Sequence, residues 1–307
     1  MPKGHEMQLE GVYTPVVTPF DDEGEIDLDT LTRVIEHQLQ SGTRGIVSCG
    51  TTGEYYACTF DERVTLMTHA RDVAQGSAQL VAGCNSGSTR EVIRLGLVAR
   101  ELGYDALLLS APHTSLPSQR ELGVHYAAVA AGVGLPIVLY NYPARAGVEI
   151  GFDALDAIAD LPEIVAIKES SGDFSRFLTL RRRYLGRLEV MCGSDDQAVD
   201  YFSWGVRSWL AGTANVLPLQ HVVVLETALR GDHALAHRLF EQMLPWVQNM
   251  ESGSYNQKAK LGLAHVGIHC GNVRAPLLPL DAATATDNLQ LLDEALAIEL
   301  PARAAAS

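Results

Sequence analysis

Ile164-Val165-Ala166-Ile167 runs straight into Lys168, and Lys168 runs into Glu169-Ser170-Ser171-Gly172. A short continuous apolar run closed by turn residues reads as a strand buried on both faces. Its last side chain is then an amine held at the mouth of a core. Partial removal from water disfavours the ammonium form, lowers the pKa and makes a neutral nucleophile available. Most lysines at strand ends are solvated, so the company Lys168 keeps must carry the reading. Other short apolar runs end at Gly50-Thr51-Thr52-Gly53-Glu54, at Tyr140 followed by Asn141-Tyr142-Pro143-Ala144-Arg145, at Gly193-Ser194-Asp195, and at Gly212-Thr213-Ala214-Asn215.

The chemistry that joins these residues is imine formation. A neutral Lys168 adds to a ketone and water leaves, which requires several proton movements and a hydroxyl beside the amine; Tyr140 is the candidate relay. Gly50 and Gly53 let the backbone N–H groups of the Thr51-Thr52 turn approach a carboxylate closely. Arg145 is suited to grip a second carboxylate or polar tail bidentately. Taken singly, each has an ordinary structural use: a turn, a rim tyrosine, a surface arginine. Only their convergence on one face makes a site.

The elements around them supply that convergence. Gly11 to Phe20 reads as a first strand, and Asp27 caps a helix with Leu31, Val34, Ile35 and Leu39 on one face, stopped by Gly42. The same pattern then repeats. Ile46 to Cys49, Leu80 to Gly83 and Ala106 to Leu109 are strands, and the sequences Thr59-x-x-Glu62, Ser88-x-x-Glu91 and Ser118-x-x-Glu121 predict capping boxes opening the helices that follow. Pro136 to Tyr140, Ile164 to Ile167, Leu188 to Met191 and Ser208 to Ala211 continue the strands. Helices follow from Asp153, from Asp173, from Asp195 to Trp204, and from near Pro218. Eight strand-helix units imply parallel pairing and fit a closed α/β (β/α)₈ TIM barrel, with active residues at the C-terminal ends of its strands. A doubly wound sheet would carry a glycine-rich phosphate loop after its first strand, and none is present. We assign residues 1–231 to the catalytic barrel and 232–307 to a C-terminal helical extension packed on it. In the extension Ala234 to Glu251 (kinked or divided at Pro245), Tyr255 to Leu263 and Leu289 to Leu300 read as helices, and Val273 to Leu280 as proline-broken and extended. The tail Arg303 to Ser307 is expected to fray.

A formal charge of −14 on 307 residues argues against a nucleic-acid or anionic-membrane partner. No apolar run approaches a membrane span, and Met1 to Glu6 lacks the apolar core of a signal peptide, so a cytoplasmic protein is expected. The five cysteines, odd in number and without C-x-x-C spacing, are expected to be reduced. His265-x-x-x-His269-Cys270 has metal-ligand spacing, but Gly267 and Gly271 break the helix it needs and no acidic third ligand is near in sequence; no metal is expected.

Gly50-Thr51-Thr52-Gly53-Glu54, Tyr140-Asn141-Tyr142-Pro143 and Ile167-Lys168-Glu169 match, in order and spacing, the motifs of the dihydrodipicolinate synthase / N-acetylneuraminate lyase family. The resemblance runs from Gly11 to about Leu280. It implies a cofactor-free Schiff-base mechanism on pyruvate or a related 2-oxo acid in a (β/α)₈ barrel, usually a homo-oligomer (dimer or tetramer). By match Lys168 is the imine-forming lysine, Tyr140 the relay, and Thr51 and Thr52 bind the carboxylate and assist the relay. Gly53 and Thr213 complete the substrate-binding set, and Arg145 sits where the synthases hold their second substrate's carboxylate. The sequence also departs from that family. Where relatives carry an aromatic pair whose second tyrosine reaches a neighbouring subunit's site, this chain has His113-Thr114, with His113 as a possible substitute in the relay. The synthases' Asn-Pro-x-Pro-x-Lys stretch is replaced by Ser254 to Lys260, and Tyr55-Tyr56 resembles the sugar-acid members.

Four readings follow. The first is a lyase that reversibly joins pyruvate to an aldehyde. The others are dihydrodipicolinate synthase itself, acting on aspartate semialdehyde; a dehydratase or deaminase using the same imine; and a non-catalytic 2-oxo acid binding protein.

Overall fold

Each short apolar run becomes a strand: β1 (Gly11–Pro15), β2 (Gly45–Ser48), β3 (Gln79–Gly83), β4 (Ala106–Ser110), β5 (Ile137–Asn141), β6 (Ile164–Glu169), β7 (Glu189–Cys192) and β8 (Ser208–Leu210). A computed structural model describes residues 8–301, so the expectations for Met1 to Glu6 and for Arg303 to Ser307 lie outside the described residues. The strands pair in parallel in chain order, and β8 returns to β1 to close the barrel. Between them run α1 (Leu28–Ser41), α2 (Phe60–Ala74), α3 (Thr89–Glu101), α4 (Gln119–Val133), α5 (Pro143–Ala146), α6 (Phe152–Ile158), α7 (Phe174–Tyr184), α8 (Ala198–Ser203) and α9 (Pro218–Leu229). The extension adds α10 (His233–Glu251), α11 (Tyr255–His265) and α12 (Ala282–Leu296).

Because alternate residues of a strand share a face, every strand feeds two cores. Tyr13, Val47, Val81, Leu108, Val138, Ala166, Met191 and Leu210 fill the barrel interior. The other set, including Ile46, Leu107, Ile137, Ile167 and Trp209, packs under the helices.

Of the helix starts that the sequence marks with a cap or a capping box, Ser88 departs from its pattern. Asp27 accepts from Thr30 N, Gly42 closes α1 in the left-handed region at φ 89°, and the boxes at Thr59 and Ser118 form reciprocally. At Ser88 no side-chain cap forms. Its own N–H is taken by Ser86 Oγ at 3.2 Å, which settles the turn before the helix begins. Other boundaries move as well. The first strand ends at Pro15, and the helix expected from Asp195 starts at Ala198, after a 3₁₀ turn at Asp195–Gln197 that aims Asp195 inward. Pro245 neither divides nor ends α10; it lies on the exposed side, where water can serve the carbonyl it leaves free. The last helix begins at Ala282, capped by Asp281, seven residues before the apolar periodicity at Leu289 becomes readable.

Candidate active site

Val138 and Ala166 point into the barrel, so Tyr140 and Lys168, two residues further along β5 and β6, point the same way at its C-terminal mouth. They are register partners, and Lys168 Nζ stands 4.4 Å from the centroid of the Tyr140 ring. Lys168 is only 6% exposed. Burial lowers its amine to about 8; Asp195, Cys192 and Glu251 oppose the shift and Arg145 assists it. Burial likewise raises the Tyr140 phenol, which keeps it protonated and suited to passing a proton on.

The ends of these two strands are fixed by a buried polar network one residue beyond them. Asn141 Nδ2 donates to both carboxylate oxygens of Glu169 at 3.1 and 3.0 Å, and its Oδ1 accepts from Ile150 N. Glu169 also accepts from Ser171 N at 2.8 Å and from Arg176 Nε at 3.0 Å, and Arg176 donates onward to the Ile150 carbonyl.

The turn after β2 is held by its own strain-tolerant backbone and by the extension. Cys49 and Glu54 adopt left-handed φ values of 56° and 53°. Glu54 is fully buried and receives Lys260 Nζ at 2.8 Å and Arg274 N at 3.0 Å. Asn256 donates to the Thr51 carbonyl at 3.2 Å. A Cβ on Gly53 would stand 3.0 Å from the Val16 carbonyl oxygen. The turn thus packs directly on the end of β1, which needs glycine.

Around Lys168 lies a cavity of about 230 Å³. Thr51, Thr52, Tyr140, Tyr142 and Arg145 line it together with Ser170, Ser194, Asp195, Asp196, Glu251 and Tyr255. The structure therefore brings together Lys168, Tyr140, Thr51, Thr52 and Arg145. Gly53 belongs to the turn beneath the lining. Thr213 stands one layer behind the wall, fully buried, with its hydroxyl engaged by Asp195 and His221. His113 and Thr114 line a neighbouring cavity of about 530 Å³ with Tyr55, Tyr56 and Leu116, which shares Thr51, Tyr140, Tyr142 and Arg145 with the first. Sequence reasoning did not select Glu251, Tyr255 or Asn256, all from the extension. The one signal, for Tyr255 and Asn256 alone, was the replacement of the Asn-Pro-x-Pro-x-Lys pattern.

The His265 grouping resolves differently from its sequence reading. Helix α11 ends at His265, whose Nε2 meets Asp293 of α12 at 2.7 Å, an acid near in space though remote in sequence. Among the described residues no group of three or more histidines, cysteines or acids is placed to hold a metal ion. Nor, among them, is any helix long and apolar enough to cross a membrane. The five cysteines are all free.

A closed eight-stranded barrel with a buried amine at the C-terminal end of its sixth strand has the layout of a class I aldolase. The family model described as the dihydrodipicolinate synthetase family matches residues 8–295. The 4-hydroxy-tetrahydrodipicolinate synthase of Exiguobacterium sibiricum is 34% identical over 285 residues, 93% of this chain and 96% of that one. That of Exiguobacterium sp. (strain AT1b) is 32% identical over 284 residues, 92% of this chain and 97% of that one. Among solved structures, the chloride-inhibited dihydrodipicolinate synthase of Acinetobacter baumannii complexed with pyruvate superposes with a TM-score of 0.91 at 31% identity, covering 95% of this chain and 100% of that one. The 4-hydroxy-tetrahydrodipicolinate synthase of Methylacidiphilum fumariolicum SolV gives 0.90 at 31% identity, covering 94% and 98%. The chain belongs to the dihydrodipicolinate synthetase family and is a carbon–carbon lyase of the class I aldolase type.

Proposed function

We propose that the enzyme reversibly joins pyruvate to an aldehyde through an imine on Lys168. The observation that carries this reading is the buried amine, lowered to about 8, beside the Tyr140 phenol. Neutral Lys168 attacks the ketone carbon, the carbinolamine loses water, and Tyr140 passes the protons between nitrogen and oxygen. Thr51 and Thr52 hold the carboxylate. The protonated imine draws electrons from the adjacent methyl group, which loses a proton to give an enamine. Attack of that carbon on the aldehyde forms the new bond, and hydrolysis of the imine releases the product. Arg145, shared by both cavities, anchors the polar end of the second substrate.

The relatives' names favour aspartate semialdehyde as that aldehyde. The carboxyl-lined wall of Asp195, Asp196 and Glu251 favours one rich in hydroxyl or amine donors. Incubation with pyruvate and borohydride, followed by mass mapping, is expected to place a single adduct on Lys168; no adduct there would sink the reading. A panel of aspartate semialdehyde, hydroxylated aldehydes and 3-deoxy-2-oxo acids, assayed for pyruvate uptake or release, chooses the substrate. The same panel detects dehydration or deamination as loss of water or ammonia with no pyruvate exchanged.

Two substitutions probe the roles. Tyr140→Phe removes the relay and is expected to lower turnover by about 10²–10⁴-fold, while slow trapping at Lys168 persists; an unchanged rate would move the relay elsewhere. Gly193→Ala puts a Cβ 2.2 Å from Ser170 Oγ and 2.6 Å from Cγ and Cε of Lys168. The lysine stem must move, and a misplacement near 1 Å costs about 10²-fold in turnover. Steady-state kinetics on the folded variant measure this loss.

A further inference from the structure

Four donor groups converge on Asp195 at the edge of the lysine cavity. Its Oδ1 accepts the Trp209 indole N–H at 2.9 Å. Its Oδ2 faces the Thr213 backbone N–H at 3.3 Å, the Thr213 hydroxyl at 2.9 Å and the Tyr255 hydroxyl at 3.1 Å. Such a set suits the anion, which only accepts.

The Thr213 hydroxyl carries a single proton. Donated to Asp195, it leaves an oxygen lone pair facing His221 Nε2 at 2.7 Å, and that arrangement calls for a hydrogen on the nitrogen. His221 Nδ1 faces the Leu217 carbonyl at 2.7 Å, which can only accept, so it carries one as well. With the Thr213 proton on the Asp195 side, the fully buried ring of His221 holds two protons; with it on the His221 side, the ring holds one. Burial lowers the imidazole to about 4, with the charge of Asp195 and the Leu217 carbonyl opposing the shift; the imidazolium stands on the hydrogen-bond arrangement, against that desolvation.

We propose that Asp195 is the fixed counter-ion of the iminium formed at Lys168, and that its charge is held through the Thr213 hydroxyl by a buried imidazolium at His221. The counter-ion role rests on the imine reading; the proton count does not. An iminium in a buried cavity needs a nearby anion, because bare charge removed from water is costly. Glu251 and Asp196 face the same space, but burial and mutual repulsion with Asp195 push both carboxyls towards the neutral form. The other groups facing Lys168 are Tyr140, Cys192 and Arg145.

Nitrogen-15 NMR of the histidine rings in the intact enzyme, without substrate, tests the proton count. Both ring nitrogens of His221 are expected to stay protonated from pH 6 to 9, and a neutral ring would overturn the assignment. Thr213→Val keeps the shape and cuts the bridge. His221 should then become neutral, and a ring still doubly protonated would remove Thr213 from the chain.

Asp195→Asn tests the counter-ion with two readouts of opposite sense. With the anion gone, the pH midpoint for attack by Lys168 should fall by about one unit while the equilibrium fraction of imine with pyruvate drops about tenfold. Loss of amplitude with an unmoved midpoint would mean a merely structural role and overturn the proposal. No adduct in the unsubstituted enzyme would sink the imine reading and the counter-ion with it, leaving the NMR result to stand alone.

Discussion

Lys168→Met is expected to abolish the borohydride-trapped pyruvate adduct and to lower turnover by at least about 10⁴-fold, leaving a folded barrel. The size of the loss follows from the amine's environment. With a pKa near 8, about a tenth of the amine is neutral at pH 7, against about three parts in ten thousand for an ordinary lysine. Methionine keeps the apolar stem against Tyr140 and Gly193, so the fold survives while the nucleophile goes. In the unsubstituted enzyme the sign of the pH effect is fixed: imine formation should accelerate as pH rises through about 8 and level off above it. Stopped-flow trapping across pH 6–10 checks this. A midpoint near 10.5 would mean that Lys168 is not desolvated in solution, and substantial turnover by the methionine variant would remove it from the mechanism.

Arg176→Met carries the largest expected effect on stability. Glu169 is fully buried and the Arg176 side chain is 4% exposed, with Nε 3.0 Å from the carboxylate. Removing the guanidinium leaves a buried carboxylate without its cation and the Ile150 carbonyl without its donor. Losses of this kind cost about 3–5 kcal/mol, readable as a lowered urea midpoint. The variant Glu169→Gln/Arg176→Met removes both charges and should recover part of the loss. If Arg176→Met alone unfolds at the original midpoint, the network contributes nothing to stability. Because Asn141 and Glu169 directly follow Tyr140 and Lys168 in the chain, Arg176→Met should also loosen the Tyr140–Lys168 pair and lower turnover.

Much of this architecture is readable from the chain because the barrel is built from local signals. The Asp27 cap, the Thr59 and Ser118 boxes and the apolar strand runs each act over a few residues. Counting eight such units is enough to put Tyr140 and Lys168 side by side. The legible part of the site is therefore the part carried on strand ends. The rest depends on long-range geometry. No periodicity in α10 or α11 says over which end of the barrel the extension folds, so Glu251, Tyr255 and Asn256 stay hidden until the packing is known. His221 sits inside the apolar run Pro218–Leu225, where a histidine reads as a core residue. Only the 3₁₀ turn at Asp195–Gln197 brings Asp195 inward to meet Thr213 and His221. Ser88 shows the opposite limit: a sequence that spells a capping box forms none, and the Ser88 N–H that Glu91 would receive goes to Ser86 instead.

The hold of the extension on the turn after β2 gives this enzyme an order of assembly. A ribosome delivers all eight strands before Tyr255, Asn256, Lys260 and Arg274 emerge. Until they arrive, Asp195 lacks one of its donors, the Thr51 carbonyl lacks Asn256, and Glu54 lacks both its cation and the Arg274 N–H. The turn after β2 thus takes its final contacts only from the last part of the chain to be made, although the strand that carries Lys168 precedes it by almost ninety residues.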